Sequence, residues 1–435
     1  MKHDDHQPGH PTRDPRRAVV AIVDGYSTGK YIAAQLRDLG ATCFHLTSQP
    51  TMPELFTRSF DSGCYEEDLA YQEDFDRIAA ALEQRGVTAV VPGTESGVLL
   101  ADRLSHRLGL PGNAPSQRRA RRDKYLMARV VAAAGLRAPA SDLVENPAMA
   151  RSALLASRAT EVVVKPLSSA GADNVHFCRS AAEAAEAARA VLEAVDLFGS
   201  PNRYAVVQER LLGVEHYVNS VSIDGRHLMV ETWRYTKCSG PSGGLVYDFE
   251  EPVGGSTTDA AELHEFTRQV LDALGIKNGA AHTEIMLTST GPVLVETGAR
   301  LGGATQPSVT ERYSGTSQTR ALAHALVGDQ AAADIRPSWT QPVRNVSLVN
   351  HVPGSGTTTW ADALARLASV VAVVPATTGG SWLDVTRDLA SAPGFVYLSH
   401  PDERQVAADY ATIRDLEHRG LYTSAGGTAP GAAQG

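Results

Sequence analysis

The chain has 435 residues, a formal net charge of −9, 43% hydrophobic residues and four cysteines, a length that calls for roughly two to four units with separate cores. The acidic balance, with no clustered basic face interleaved with aromatics, excludes nucleic acid as the main partner and leaves small molecules. Cys43, Cys64, Cys178 and Cys238 stand far apart without a CxxC pair, which excludes a zinc or disulfide framework and fits a reducing cytosol.

Residues 1–17 are polar, hold three prolines and have no apolar core, so they read as a disordered tail and not as a secretory signal. No apolar run approaches membrane-spanning length, and a soluble, cytoplasmic protein is expected. Folding begins at Ala18, where a buried strand runs into Asp24-Gly25-Tyr26-Ser27-Thr28-Gly29-Lys30. This segment is not a P-loop: three residues separate Gly25 from Gly29 where a P-loop has four, and Tyr31 replaces the hydroxyl residue. It reads as a tight turn into a helix, whose first N–H groups could meet an anionic substrate. The pattern then alternates: helix Tyr31 to Leu39, strand Thr42 to Leu46, helix near 74–85, strand Thr88 to Val91, which implies a parallel sheet. Pro92-Gly93-Thr94-Glu95-Ser96 follows at the carboxyl end, with Thr94 able to cap the next helix; Glu95 fits a first-turn position favoured by the helix dipole better than a contact to a substrate amine.

A basic linker, 114–122, leads to Asp123-Lys124 and an amphipathic helix. Val162 to Lys165 is an apolar strand ending in a lysine, followed by a loop of small residues through Ser169, a combination suited to phosphate. Ser180 and Glu183 form a capping box. The strand from Tyr204 loses its alternation at Gln208-Glu209, where exposed backbone could read an adenine edge, and Glu215 just beyond could accept ribose hydroxyls. Asp224-Gly225 turns a hairpin of Tyr217–Ile223 and His227–Trp233. Residues 236–258, rich in Gly and Ser, are expected to form a long loop, a candidate lid.

Next comes a hairpin of two strand-forming runs, His282–Leu287 and Val293–Glu296, around a turn ending in Gly291-Pro292. Symmetry about Thr290 places Glu284 opposite Glu296. Two carboxylates about 5 Å apart repel by about 3 kcal/mol at an effective dielectric near 20, and a divalent cation shared with substrate phosphates would compensate. A shifted register, with both glutamates solvated, is the plainer alternative. Arg300, four residues past Glu296, favours phosphate chemistry. Beyond it lie the Leu301-Gly302-Gly303-Ala304 turn and a helix around 319–327. From about Arg336 a compact α+β unit follows, with strand 345–352, helix 360–367, strand 370–374 and helix 406–418, and then a Gly/Ala-rich tail, 424–435.

Taken together, Asp123-Lys124, Lys165 with its loop, Gln208-Glu209-Arg210-Leu211 with Glu215, and His282-x-Glu284 with Glu296-x3-Arg300 resemble the ATP-grasp superfamily. The likeness is to its carboxylate–amine ligases that join L-amino acids, and it covers roughly residues 18–420. It implies an α/β (α+β) architecture: a disordered 1–17, a Rossmann-like pre-ATP-grasp domain with a parallel sheet over 18–113, an ATP-grasp domain over 114–335 (nucleotide lid 136–212, catalytic part 213–335), and a small C-terminal α+β domain over 336–423. Lys124, Lys165 and Ser169 would hold ATP phosphates, while Gln208, Glu209 and Leu211 would border adenine and Glu215 take the ribose. Glu284 and Glu296 would bind Mg²⁺, with Mn²⁺ as a substitute, and Arg300 and His282 would be catalytic. The implied reaction is ADP-forming ligation of two amino acids through an acyl phosphate, in specialised-metabolite biosynthesis, by a homodimer that binds neither nucleic acid nor membrane. One departure is Gly298, where many relatives carry a third metal ligand, Asn. A biotin-carboxylase-like enzyme and a nucleotide-binding module without turnover are the competing readings; no biotin-attachment segment with a Met-Lys core occurs, and the retained lysines, glutamates and arginine oppose the second.

Overall fold

The computed structural model describes residues 18–424 apart from 59, 158, 170, 172, 256, 377 and 378; the expected tails 1–17 and 424–435 lie outside the described residues except for Ser424, which pairs with Ser355 in a short strand. Near the N-terminus, the strand Val19–Val23 pairs in parallel with Thr42–Leu46 and Ala89–Pro92, and Glu67–Asp68 completes a four-stranded sheet. Both faces are apolar because both are covered. Val20 and Ile22 pack with Ile32 and Leu36 of the helix Lys30–Asp38, and Ala21 and Val23 with Ile78 and Leu82 of Phe75–Gln84 and Leu104 of Val98–Arg107. The turn after Val23 is tight, as expected. Asp24 and Ser27 adopt φ of 54° and 50°, and the Asp24 carboxylate accepts from Ser48 N–H at 2.8 Å and Ser96 Oγ at 2.6 Å. Thr94 precedes a 3-10 turn, Glu95–Gly97, and its hydroxyl meets Ser96 without capping the helix, contrary to expectation.

An eight-stranded sheet follows, in the order Gly291–Gly298, Gly279–Thr288, Val214–Ile223, Arg226–Ser239, Leu245–Pro252, Val343–Ser347, Gly394–Ser399 and Val370–Pro375, antiparallel throughout. Two expectations are corrected. Residues 236–258 are largely sheet: one strand continues to Ser239 and another runs from Leu245 to Pro252, and Gly and Ser are concentrated in the turn between them. The strand Gly394–Ser399, not anticipated, inserts between Val343–Ser347 and Val370–Pro375, so strands from beyond Arg336 extend the same sheet. One face packs Val218, Ala281, Ile285 and Leu294 against the helices Lys124–Ala133 and Thr258–Ala273.

The opposite face is polar along one row. Directly paired residues share a face of a sheet. The pairs Glu296–Glu284, Glu284–Tyr217, Tyr217–Trp233, Tyr235–Glu250, Glu250–Asn345 and Asn345–Tyr397 therefore form a belt crossing seven strands.

A third sheet, in the order Ser141–Val144, Ala205–Glu209, Val162–Pro166 and His176–Cys178, stands over this belt. Val162, Val164 and Val207 face the helices Pro147–Ala156 and Ala181–Glu193 in a separate core, which leaves Val163, Lys165 and Gln208 to line the space below. Ser180 caps Ala181–Glu193 by accepting from Glu183 N–H at 3.2 Å; Glu183 returns to the N–H of Arg179, not to that of Ser180 as a capping box requires.

Candidate active site

Between the belt and the overhanging sheet lies a cavity of about 450 Å³, lined by Lys124, Lys165, Ser169, Gln208, Glu209, Leu211, Glu215, His282, Glu284, Glu296 and Arg300 among others. Its floor is the hairpin. Glu284 and Glu296 are direct partners, but not by the symmetry assumed from sequence. The turn is only Ser289-Thr290, pairing Thr288 with Gly291 and Ile285 with Leu294, and this register alone would place Val295 opposite Glu284. A β-bulge at Val295 adds one residue and brings Glu296 onto the Glu284 face.

Two lysines converge on this acidic pair. The Lys124 ammonium is 2.8 Å from Glu296 Oε2 and 2.8 Å from the Ser169 carbonyl. Burial would raise the Glu296 carboxyl, but Lys124, Lys165 and Arg300 outweigh it and lower it to about 2. Lys165, 7% exposed, is lowered to about 8 by burial, against the attraction of Glu296. Ser169 donates its hydroxyl to Asp173 at 2.6 Å.

Arg300 is aimed by residues the sequence reading did not connect to it. Its Nε donates to Glu95 Oε2 at 2.7 Å and its Nη1 to the Leu301 carbonyl at 2.9 Å, while Arg122 holds the other oxygen of Glu95 at 2.8 Å. Burial would raise the Glu95 carboxyl, and the two arginines lower it instead. Glu95 is thus an anchor for Arg300 and not a helix-dipole residue. Gly298 is explained at the same point: a Cβ there would lie 2.8 Å from Glu95 Oε2 and 3.0 Å from Arg300 Cζ. The position that could carry a third ligand is where the arginine folds back.

His282 is held from behind. The Gln318 N–H and the Asn219 amide both donate to Glu231, at 2.7 and 2.8 Å, which turns the Asn219 oxygen toward His282 Nδ1 at 2.7 Å. Nδ1 is then the donor and Nε2 points at Glu284 Oε1, 3.3 Å away. Tyr235 approaches the same oxygen at 3.3 Å.

At the far end of the overhanging sheet, the Glu209 N–H donates to the Ala140 carbonyl and the Arg210 N–H to that of Glu161. These donors are engaged, so the backbone there is less open than the break in alternation implies. The Gln208 amide donates to Ser141 Oγ at 2.9 Å. Glu215 is bound to Lys237, Oε2 to Nζ 2.7 Å; burial raises its carboxyl, in part offset by Lys237. The cavity also takes in Tyr235, Lys237, Tyr247, Glu250 and, past Arg300, Gly303–Thr305, together with Lys30, Tyr31, Phe395 and Tyr397. Trp233, on the same strand as Tyr235, is packed in the core with Trp339.

Opposed carboxylates under a lysine-bearing sheet, with an arginine close by, suit the binding of a cation and phosphate groups. Residues 122–234 match the family model of the phosphoribosylglycinamide synthetase ATP-grasp (A) domain. Dapdiamide A synthase of Enterobacter agglomerans is 30% identical over 417 residues, which span 93% of this chain and 98% of that protein. The chain belongs to the ATP-grasp ligases, ADP-forming enzymes that use ATP to make amide bonds. Among solved structures, an L-amino acid ligase from Bacillus licheniformis superposes with a TM-score of 0.71 at 19% identity, over 92% of this chain and 97% of that one. Carboxyaminoimidazole ribonucleotide synthase from Aspergillus clavatus, complexed with ATP, gives 0.66 at 13% identity over 93% and 100% of the respective chains. No helix among the described residues is long and apolar enough to cross a membrane.

Proposed function

We propose that this ligase joins two amino acids. The carboxylate of the first takes the γ-phosphoryl group of ATP, and the amine of the second displaces phosphate from the resulting acyl phosphate. The observation that carries the reading is the convergence of Glu284, Glu296, Lys124, Lys165 and Arg300 on one cavity. Mg²⁺ fits Glu284 and Glu296 in the pattern of one or two protein carboxylates completed by phosphate oxygens and water. The Lys124 ammonium already rests on Glu296 as a cation would, and among the described residues no cluster of three or more Asp, Glu, His or Cys groups forms a metal site. When bound, the ion neutralises phosphate charge and orients the transferring group.

The chain's own residues do the rest. Lys124 leaves Glu296 for the phosphates, and Lys165, desolvated from the start, meets them without a further hydration cost. The Ser169 loop adds backbone donors, Gln208, Glu209 and Leu211 border the adenine, and Glu215 takes the ribose on releasing Lys237. Arg300, already fixed by Glu95, stabilises charge that develops only in the transition state, and His282 is held toward the same space. Closure of the overhanging sheet over the cavity would keep water from the acyl phosphate. The protein is taken to work as a cytoplasmic homodimer in specialised metabolism, and sedimentation tests the dimer.

Mass spectrometry of products from a mixture of the common amino acids with ATP and Mg²⁺ is expected to show dipeptides, with ADP formed only when carboxylate and amine are both present. ADP formation indifferent to them would remove the proposal. Glu296→Gln should lower ligation by on the order of a hundredfold or more.

A further inference from the structure

Resting on the reading of the site as an amino acid ligase, we infer that Glu250 is the residue that selects the carboxylate-bearing substrate, by pairing with its free ammonium group.

Glu250 lies in the belt, paired across the sheet with Tyr235, which itself reaches Glu284. It is 8% exposed and lines the cavity. Tyr217 donates its hydroxyl to Glu250 Oε2 at 2.8 Å, which fixes the carboxylate. Among the described residues no ion pair reaches it, whereas the other acidic groups of the cavity floor each have a cationic or imidazole neighbour: Lys124 for Glu296, Lys237 for Glu215 and His282 for Glu284. Its surroundings are aromatic, with Tyr217, Tyr397 and Phe395 close by in one cluster. Burial pushes the carboxyl up to about 7, partly offset by Tyr217, as befits a group still lacking its counter-charge. A buried, oriented and unpaired carboxylate in an aromatic box is a site for an ammonium ion.

Chemistry decides which ammonium. The amine that attacks the acyl phosphate must be neutral, and a carboxylate that stabilises its protonated form would slow it. The amine of the activated amino acid takes no part in the reaction and is best held charged. Geometry agrees: Glu250 is three strand spacings across and two residues along the sheet from Glu284 on one face, roughly 16 Å from backbone to backbone. That span suits a metal, a phosphoryl group and the short backbone of an amino acid in line. The activated substrate is therefore an amino acid with a free ammonium, not a plain or N-acylated acid.

The test compares Glu250→Gln with the unchanged chain in ADP formation. Each of the common amino acids is used as the carboxylate, always with a saturating second amino acid as the attacking amine, and beside the best ones the matching acid without the amine, such as propionate for alanine or 3-methylbutanoate for valine. The unchanged chain should prefer the amino acid by a hundredfold or more in kcat/KM, and in the variant this preference should collapse to within a few-fold. KM for the activated amino acid should rise at least thirtyfold, with KM for ATP unchanged. Retained preference, or a shift only in KM for ATP or for the attacking amino acid, overturns the assignment. If the Gln variant does not fold, Tyr217→Phe leaves the carboxylate but frees its orientation, and KM for the same amino acid should rise several-fold; no rise overturns the assignment equally. Absence of acid-dependent ADP formation in the unchanged chain would instead remove the ligase reading beneath it.

Discussion

At the scale of single residues, Gly298 is the most informative position. Read as a lost metal ligand, it invites restoration; seen in place, it is the clearance that lets Arg300 lie against Glu95. Gly298→Asn is expected to lower kcat by on the order of tenfold or more by displacing the guanidinium, with no gain in metal affinity. Improved Mg²⁺ dependence with undiminished kcat would show the side chain to be a ligand after all. Lys165 makes a second prediction. Its folded-state value, about 8, lies below the ordinary 10.5, so the folded protein resists protonating it. That cost is full below pH 8 and fades as pH rises toward 10.5, so this group alone makes stability rise over that window. Nucleotide phosphates favour the charged form, so binding takes up a proton above pH 8. Titration calorimetry should find ATP affinity falling by about tenfold per pH unit from there. Lys165→Arg, which stays charged, should flatten the profile, and a flat profile in the unchanged chain would contradict the assignment of Lys165 to phosphate.

The lysines, the two glutamates and Arg300 were legible in the sequence because each sits at a fixed offset from a strand end or turn. Glu95 was not. Its partner is 205 residues away, and nothing local distinguishes a glutamate that favours a helix dipole from one that anchors an arginine following another sheet. Glu250 escaped for a simpler reason. The Gly/Ser turn at 240–244 coloured the reading of its neighbours, although Leu-Val-Tyr-Asp-Phe just after it is an evident strand.

Among the elements, the catalytic hairpin depends on an irregularity. Pairing of the glutamates was inferred from a symmetric turn, but the actual turn is one step out of phase with that symmetry and the bulge at Val295 restores it. Removing Val295 should make the ladder regular while leaving Glu296 opposite Glu284 and Gly298 opposite His282, without the extra local twist of the bulge. Far-ultraviolet circular dichroism should then stay near that of the unchanged chain and ligation should persist to within about tenfold; loss of ligation would show that the twist of the bulge, beyond the pairing itself, aims Glu296. Hydrophobic pattern revealed the strands, whereas a single-residue bulge changes no pattern and could be learned only from the register.

For the molecule as a whole, closure over the site is shared among segments far apart in sequence. Phe56, beside the parallel sheet, stacks on Phe198 beneath the overhanging sheet, with centroids 5.1 Å apart, and Gln49 donates to the Phe198 carbonyl at 2.9 Å. Below, Tyr31 and Tyr397 both bind Gln306 in the loop that follows Arg300. Phe198→Ala should loosen the upper closure and raise the ratio of ADP to dipeptide several-fold, because water then reaches the acyl phosphate. An unchanged ratio would mean that this contact does not gate the cavity. The alternating parallel-sheet unit and the hairpins could be read from periodicity, but the sharing of one sheet by strands on either side of Arg336 could not, since strand order is set by long-range pairing that leaves no local mark.

That shared sheet has a consequence for substrate length. Glu284 and Glu250 ride on strands of one hydrogen-bonded sheet, so their separation is a property of backbone spacing and does not change when the overhanging sheet opens or shuts. The cavity floor then behaves as a fixed ruler laid between phosphoryl transfer and ammonium recognition. Lengthening the activated substrate by a methylene between its two charged ends incurs the same misfit whether the site is open or closed, and selectivity among α-, β- and γ-amino acids is decided at first binding, before any commitment to catalysis.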